Sequence, residues 1–326
     1  MFTDLLALLW VPFLMCLVLT GIHAYLGVHV LAREVVFVDI ALAQIAALGA
    51  TAAFLFGHDV DTWQSYAAGL AATLFGALVL ALTRTRHRHV SQEAIIGIVY
   101  AVSSAGAVLL ADRAPHGAEH VRAMLVGSLL SVRPGEVAKV ALLYAAIGLV
   151  HWLCRRPFFL ISADPDEAFR QNWRVRAWDF LFYVTFGVVV TSSVRVGGVL
   201  LVFSYLIVPA LAGVALGRTI AARLLIGWGF GTLVSILGVV ASAALDLPTG
   251  ATVVCTFGLT LLVFGVVAWL SGWRPAQGAA ALVPAATASP GRRPVAEGSA
   301  SSPSWPPCSR SRPGARRCPR RPTWRV

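Results

Sequence analysis

The chain has 326 residues, 58% of them hydrophobic and only 13% charged, with a mean hydropathy of +0.76. That balance excludes a soluble globular domain, because it comes from repeated apolar runs near 20 residues, too long and too many for buried soluble helices. The net charge of +11 does not argue for nucleic-acid binding, since nine Arg and one Glu after Pro275 supply eight of those charges.

Nine candidate spans follow in order, at 5–27, 35–57, 62–82, 93–111, 136–154, 178–195, 197–216, 223–245 and 250–271. The first begins almost at Met1, with no basic n-region and no small-residue cleavage site, and reads as a retained span. With the N-terminus outside and the C-terminus cytoplasmic, the inside loops hold 21 Lys and Arg residues against five outside. The positive-inside rule is thus satisfied.

In the second span Asp39 and Gln44 are the polar residues. Intramembrane polar groups mark functional positions. Asp39 lies about 6 Å inside the cytoplasmic boundary by helix rise, within reach of headgroup water, and Gln44 about 13 Å in. Gln44 is the better candidate for lining a path, although an interhelical hydrogen bond also accounts for an amide there. His23 and His151 read as lone imidazoles packed inside the bundle.

Outside, His58, Asp59 and Asp61 form one cluster and His116, Glu119 and His120 another. Imidazole with carboxylate suits zinc, manganese or iron, although exposed polar loops hold such residues by chance. The second cluster lies in 112–134, a stretch too polar to cross and too apolar for a plain loop. It predicts a short interfacial or re-entrant helix over 119–130.

The longest polar island, Ser162 to Asp179, separates two strongly apolar blocks. Asp164 suits an N-cap, Pro165 the first helical position, and Asp166 and Glu167 the first turn. A surface helix ending near Asn172 follows, because Asn tolerates the left-handed conformation of helix ends. Arg174 and Arg176 put it on the cytoplasmic side, where it suits docking a partner. Further on, Pro209 removes a hydrogen bond and predicts a kink or break in the seventh span. After Pro275 a Pro-, Ser- and Arg-rich composition predicts a disordered cytoplasmic tail over 275–326, leaving 1–274 as the membrane domain with its cytoplasmic loop at 155–177.

The single lysine, Lys139, follows Ala138, so no GK[ST] phosphate loop exists, and neither GxSxG nor HExxH occurs. No catalytic residue and no bound cofactor is indicated, and any ATP must be hydrolysed by another chain. The five cysteines show no CxxC spacing.

Four segments, in order, resemble the integral-membrane permeases of ABC-type zinc, manganese and iron uptake systems. They are Gly27–Gly49 (GVHVLAREVVFVDIALAQIAALG), Asp164-Pro165-Asp166-Glu167-Ala168-Phe169, Val196–Leu201 through Leu206-Ile207-Val208-Pro209-Ala210, and Asp246–Ala251. The resemblance implies an all-α polytopic permease that forms a homodimeric pore in the lipid bilayer. It further implies two copies of a cytoplasmic ATPase, an extracytoplasmic metal-binding protein, and a divalent metal ion as cargo. The Asp164–Asn172 helix would be the coupling helix received by the ATPase. By their own positions Gln44 and Asp39 are expected to line the path and Pro209 to bend the seventh span. One departure stands out. The family's Asp and His pair in the second span falls on Ile40 and Gln44, while Asp39 is about 140° from Gln44 around an ideal helix. The rivals are a metal chelate or cobalamin-like cargo, and a carrier or channel that needs no ATPase.

Overall fold

The computed structural model describes residues 2–59, 62–83, 91–113, 119, 124–127 and 129–271, the side chains of 2–8 excepted. The expected tail at 275–326 lies outside these residues.

The described residues form ten α-helices and one 3-10 turn. They are α1 (Phe2–Ala32), α2 (Val38–Leu55), α3 (Trp63–Leu82), α4 (Gln92–Ala111), α5 (Pro134–Leu153), α6 (Arg155–Ala163), α7 (Pro165–Arg170), α8 (Val175–Leu216), α9 (Ile220–Leu245) and α10 (Thr249–Leu270), with the turn at Leu129–Ser131. All except α6 and α7 are long and apolar enough to cross a membrane, which makes eight such helices where the sequence predicts nine spans. The difference lies in α8, which holds the sixth and seventh predicted spans in one 42-residue element. Forty-two residues rise about 63 Å, twice the hydrocarbon thickness of about 30 Å.

The chain resolves that excess by turning over at Gly198, whose φ of 77° and ψ of 162° are non-helical. Before the break, Ser193 meets His23 and Asp179 meets Arg33, so this limb runs antiparallel to α1. After it, Tyr205 meets Cys16 and Ala210 packs on Val28, so the second limb runs parallel to α1. Two passes are therefore joined by one residue in place of a loop.

Only glycine fits there. The φ/ψ pair belongs to a region closed to L side chains, and a Cβ on Gly198 would lie 2.5 Å from Gly127 N and from Leu125 O. Gly127 also has positive φ (70°), and its own Cβ would strike the Gly197 carbonyl carbon. Gly250 at the start of α10 receives the Val126 carbonyl, 2.5 Å from where its Cβ would be. Residues 125–127 of the 112–134 stretch thus dock on Gly197, Gly198 and Gly250 through their own backbone. It is helical at Met124–Val126, broken at Gly127 and helical again at Leu129–Ser131, not one continuous helix over 119–130. Leu129 enters the main apolar core.

The expected break at Pro209 does not occur. That residue sits buried within the helical part of α8, which continues to Leu216, and its ring and carbonyl pack on Gly231 and Gly227 of α9. Small residues let these two helices close up, so packing holds the helix through the missing hydrogen bond.

Helices α1, α2 and α8 form the centre, with 61%, 61% and 56% of their apolar windows buried, while α10 is 11% buried and peripheral. Thr62, Ser91, Asp164 and Thr219 cap α3, α4, α7 and α9 by accepting from the N–H three residues on, answering donors that no turn of their own helix satisfies.

Candidate functional site

The predicted surface helix is α7. Asp164 Oδ1 accepts from Glu167 N at 2.9 Å, and Pro165 occupies the first helical position. The helix ends as the sequence suggests. Asn172 takes φ 57°, its N–H donates to Phe169 O at 3.1 Å, and Trp173 N–H donates to Ala168 O at 3.0 Å. This is the paired hydrogen bonding of a Schellman C-cap. Arg170 reaches Glu167 at 2.6 Å and Asp164 at 3.6 Å, all three substantially exposed. The Glu167 hydrogen bond pushes the Arg170 pKa upward, but such surface pairs stabilise little.

Alone, six residues would not hold a helix in water. Here α7 is held by its roots. Ala168 is buried against Ile161 of α6 and Val175 of α8, and Leu160, Phe169 and Trp178 close the cluster. Phe169 is half-buried on this side, while Asp166, Arg170, Gln171, Asn172 and Trp173 face outward. α6, α7 and the start of α8 form a bracket that presents one polar face.

Below the bracket a line of polar groups follows α1 into the core. Arg33, just past the end of α1, donates from Nε to Ser162 Oγ at 2.9 Å and from Nη1 to Asp179 Oδ1 at 2.6 Å. Its guanidinium carbon lies 3.9 Å from the centre of the Phe182 ring. His29 Nδ1 shares Ser162 Oγ at 2.9 Å. Tyr25 stands edge-on between the rings of His29 (4.9 Å) and His151 (5.5 Å), and His151 Nε2 meets Thr185 Oγ1 at 2.8 Å. Further along, His23 Nδ1 is 2.8 Å from Leu19 O and Nε2 is 3.2 Å from Ser193 Oγ, which also meets the Tyr144 hydroxyl. A carbonyl only accepts, so His23 carries a proton on Nδ1.

This line spans about 15 Å, the rise of ten helical residues. His23 and His151 are legible in the sequence as buried imidazoles, whereas His29 is not. Its residue type and apolar flanks carry no signal of Ser162, which is 133 positions away. His29 Nε2 and His151 Nδ1 are buried without hydrogen-bond partners.

The two polar residues of α2 separate. Asp39 is 1% exposed in the first turn, with Oδ1 lacking a hydrogen-bond partner, instead of reaching headgroup water. Gln44 lies on a partly open stripe with Ile40 and Leu48, at the i, i+4 spacing of one helix face. The two positions matching the family's ligand pair therefore share a face, and Asp39 is not on it.

Of the outer metal candidates, His58 and Asp59 follow α2 and Glu119 is exposed, while Asp61, His116 and His120 lie outside the described residues. Among the described residues no group of three or more His, Cys, Asp or Glu is placed to hold a metal ion.

Among the described residues, an all-helical bundle with eight membrane-length helices and a capped bracket at one end defines a multi-pass membrane protein. The model of the ABC 3 transport family matches residues 6–268, and the chain belongs to that family. It is 26% identical over 152 residues to the manganese import system permease protein ScaB of Streptococcus pneumoniae, covering 47% of this chain and 55% of that protein. It is 22% identical over 243 residues to a probable iron transport system membrane protein of Haemophilus influenzae, covering 74% and 84%. Among solved structures, PsaBC from Streptococcus pneumoniae in complex with Fab superposes with a TM-score of 0.67 at 18% identity, covering 81% of this chain and 95% of that one.

Proposed function

We propose that this chain is the membrane-spanning subunit of an ATP-driven importer of a divalent metal ion, zinc, manganese or iron. Two copies form the pore, a separate ATPase docks on α7 from the cytoplasm, and an extracytoplasmic protein delivers the ion. The observation that carries this reading is the α7 bracket, a helix capped at both ends that is fixed to two membrane blocks and exposes a polar face. It lies at the Arg33 end of the bundle, the end assigned to the cytoplasm by the basic residues Arg155, Arg156, Arg174 and Arg176. The relatives named for manganese import and iron transport support the cargo class. ATP binding in the partner draws the two brackets together and turns the pore over, a population shift between two packings.

Gln44 is the pore-lining group of α2. Its amide oxygen is a hard donor and suits manganese better than zinc. Asp39 acts from behind that face.

The test is uptake by proteoliposomes holding the permease with its ATPase and binding protein, offered zinc, manganese and iron together and read by elemental analysis. ATP-dependent accumulation of one metal, lost in Phe169→Asp, is the expected result. An assembled complex that hydrolyses ATP and accumulates none of the three would instead indicate a chelated or organic cargo.

A further inference from the structure

The bracket meets the rest of the bundle through two buried polar residues, one in each root of α7. Ser162 lies in the last turn of α6, two residues before the Asp164 cap, and Asp179 lies in the second turn of α8. Both are buried, and both are bound by one side chain, Arg33, which belongs to neither root. We propose that Arg33 is the positioning residue that carries displacement of the α7 bracket into α1, and so into the centre of the bundle. The proposal rests on the reading of α7 as the ATPase-docking helix.

The geometry favours Arg33 over the surrounding apolar contacts. The cluster around Ala168 ties α7 to its own roots, α6 and α8, and does not include α1. Apolar contacts are non-directional and let helices slide. A guanidinium instead offers donors in a fixed planar fork, so it holds two acceptors in one relative position. Nε faces Ser162 and Nη1 faces Asp179, so Arg33 ties the position of both roots to the end of α1. The Arg33–Asp179 pair has no exposed side-chain surface, so water cannot replace either partner when the bracket moves. The Phe182 ring closes one face of the guanidinium, and His29 binds Ser162 from the same helix as Arg33. Movement of the roots must therefore move the end of α1 or break charge-assisted bonds inside the core. Further along α1, His23 is bound to Ser193, five residues before the Gly198 turnover, so the helix is anchored at both levels.

The test compares the full permease–ATPase complex, reconstituted with its binding protein, in the parent form and in Arg33→Gln/Asp179→Asn. The double variant removes both charges together and leaves no lone charge in the core. Mn(II), Zn(II) and Fe(II) are offered together, and the quantity read is metal accumulated per ATP hydrolysed. The expected result is a complex that assembles and hydrolyses ATP but moves about tenfold less metal per ATP, a size typical of lost coupling between distant sites. Arg33→Lys, which keeps the charge but meets one root at a time, is expected to fall between the two.

A purely structural role would lower the yield and melting temperature of the complex while leaving metal moved per ATP unchanged, and that result overturns the proposal. The parent reading has its own control in Phe169→Asp. If that variant transports and couples like the parent, α7 is not the docking helix and the Arg33 proposal falls with it. If Phe169→Asp uncouples and Arg33→Gln/Asp179→Asn does not, only the Arg33 proposal is lost.

Discussion

Replacing Gly198 by alanine tests the turnover of α8 directly, because the structure gives both parts of the cost. The backbone at φ 77° and ψ 162° is strained for any residue with a Cβ, by about 1–3 kcal/mol. The new methyl also meets Gly127 N and Leu125 O at 2.5 Å, and both are backbone atoms that cannot rotate away. Overpacking of that kind adds about 1–3 kcal/mol, for a total of about 2–6 kcal/mol and a fall in melting temperature of about 4–24 °C. Gly265→Ala in α10 is the matched control, since a Cβ there meets nothing within 4 Å. A helix-interior Gly→Ala change with open space is neutral or stabilising by about 0.5–1 kcal/mol. Thermal unfolding in detergent, followed by tryptophan emission, compares the two. A cysteine at the partly buried Leu125 adds a local reading, because it should react faster with a water-soluble maleimide in the Gly198→Ala background. Equal melting of the two variants, with Leu125→Cys equally protected in both, would falsify the turnover and the docking of 124–127 on it.

Asp164→Ala removes the cap of α7 at a local cost of about 1 kcal/mol. It should speed hydrogen exchange at the Glu167 amide, while Asp164→Asn should leave it slow. Asn172→Val puts a β-branched residue at positive φ, costing about 1–2 kcal/mol, and should open the loop to limited proteolysis where Asn172→Gly does not. Asp39→Asn removes a buried carboxylate that has one unpartnered oxygen. The melting temperature should rise while metal uptake falls, because burying such a charge costs stability that function retains; a fall in both would refute that trade. Tyr144→Phe deletes the hydroxyl that meets Ser193 and should cost about 1 kcal/mol in thermal unfolding.

What the sequence made legible was local. The apolar runs gave the helices, and Asp164, Pro165 and Asn172 gave both ends of α7, because caps and left-handed positions depend on residues within one turn. The mismatch between Asp39 and Gln44 was also local, following from helix periodicity alone. What stayed hidden needed a partner far along the chain. Arg33 reads as one more positive-inside residue until Asp179 is placed against it, 146 positions later. The boundary between the sixth and seventh spans, at 195/197, was legible beside Gly198, but the contact of Gly127 that makes the turnover there was not, and the kink expected from Pro209 rested on local chemistry alone. Proline's missing hydrogen bond is visible in one dimension, whereas a backbone-to-backbone contact is visible only in three.

The separation of Arg33 from Asp179 also bears on how the protein is made. Translation proceeds at about 5–20 residues per second, so the 146 positions between the two residues take about 7–30 s. Throughout that interval α1 is in the bilayer with its cation unmatched. The chain tolerates this because Arg33 lies one position beyond Ala32, where headgroup water can hold the charge. Only when the sixth predicted span arrives can the guanidinium leave the interface for the core. Helix α1 is thus locked in place only after four further membrane-length helices have been made, and the ion pair marks a middle step of assembly.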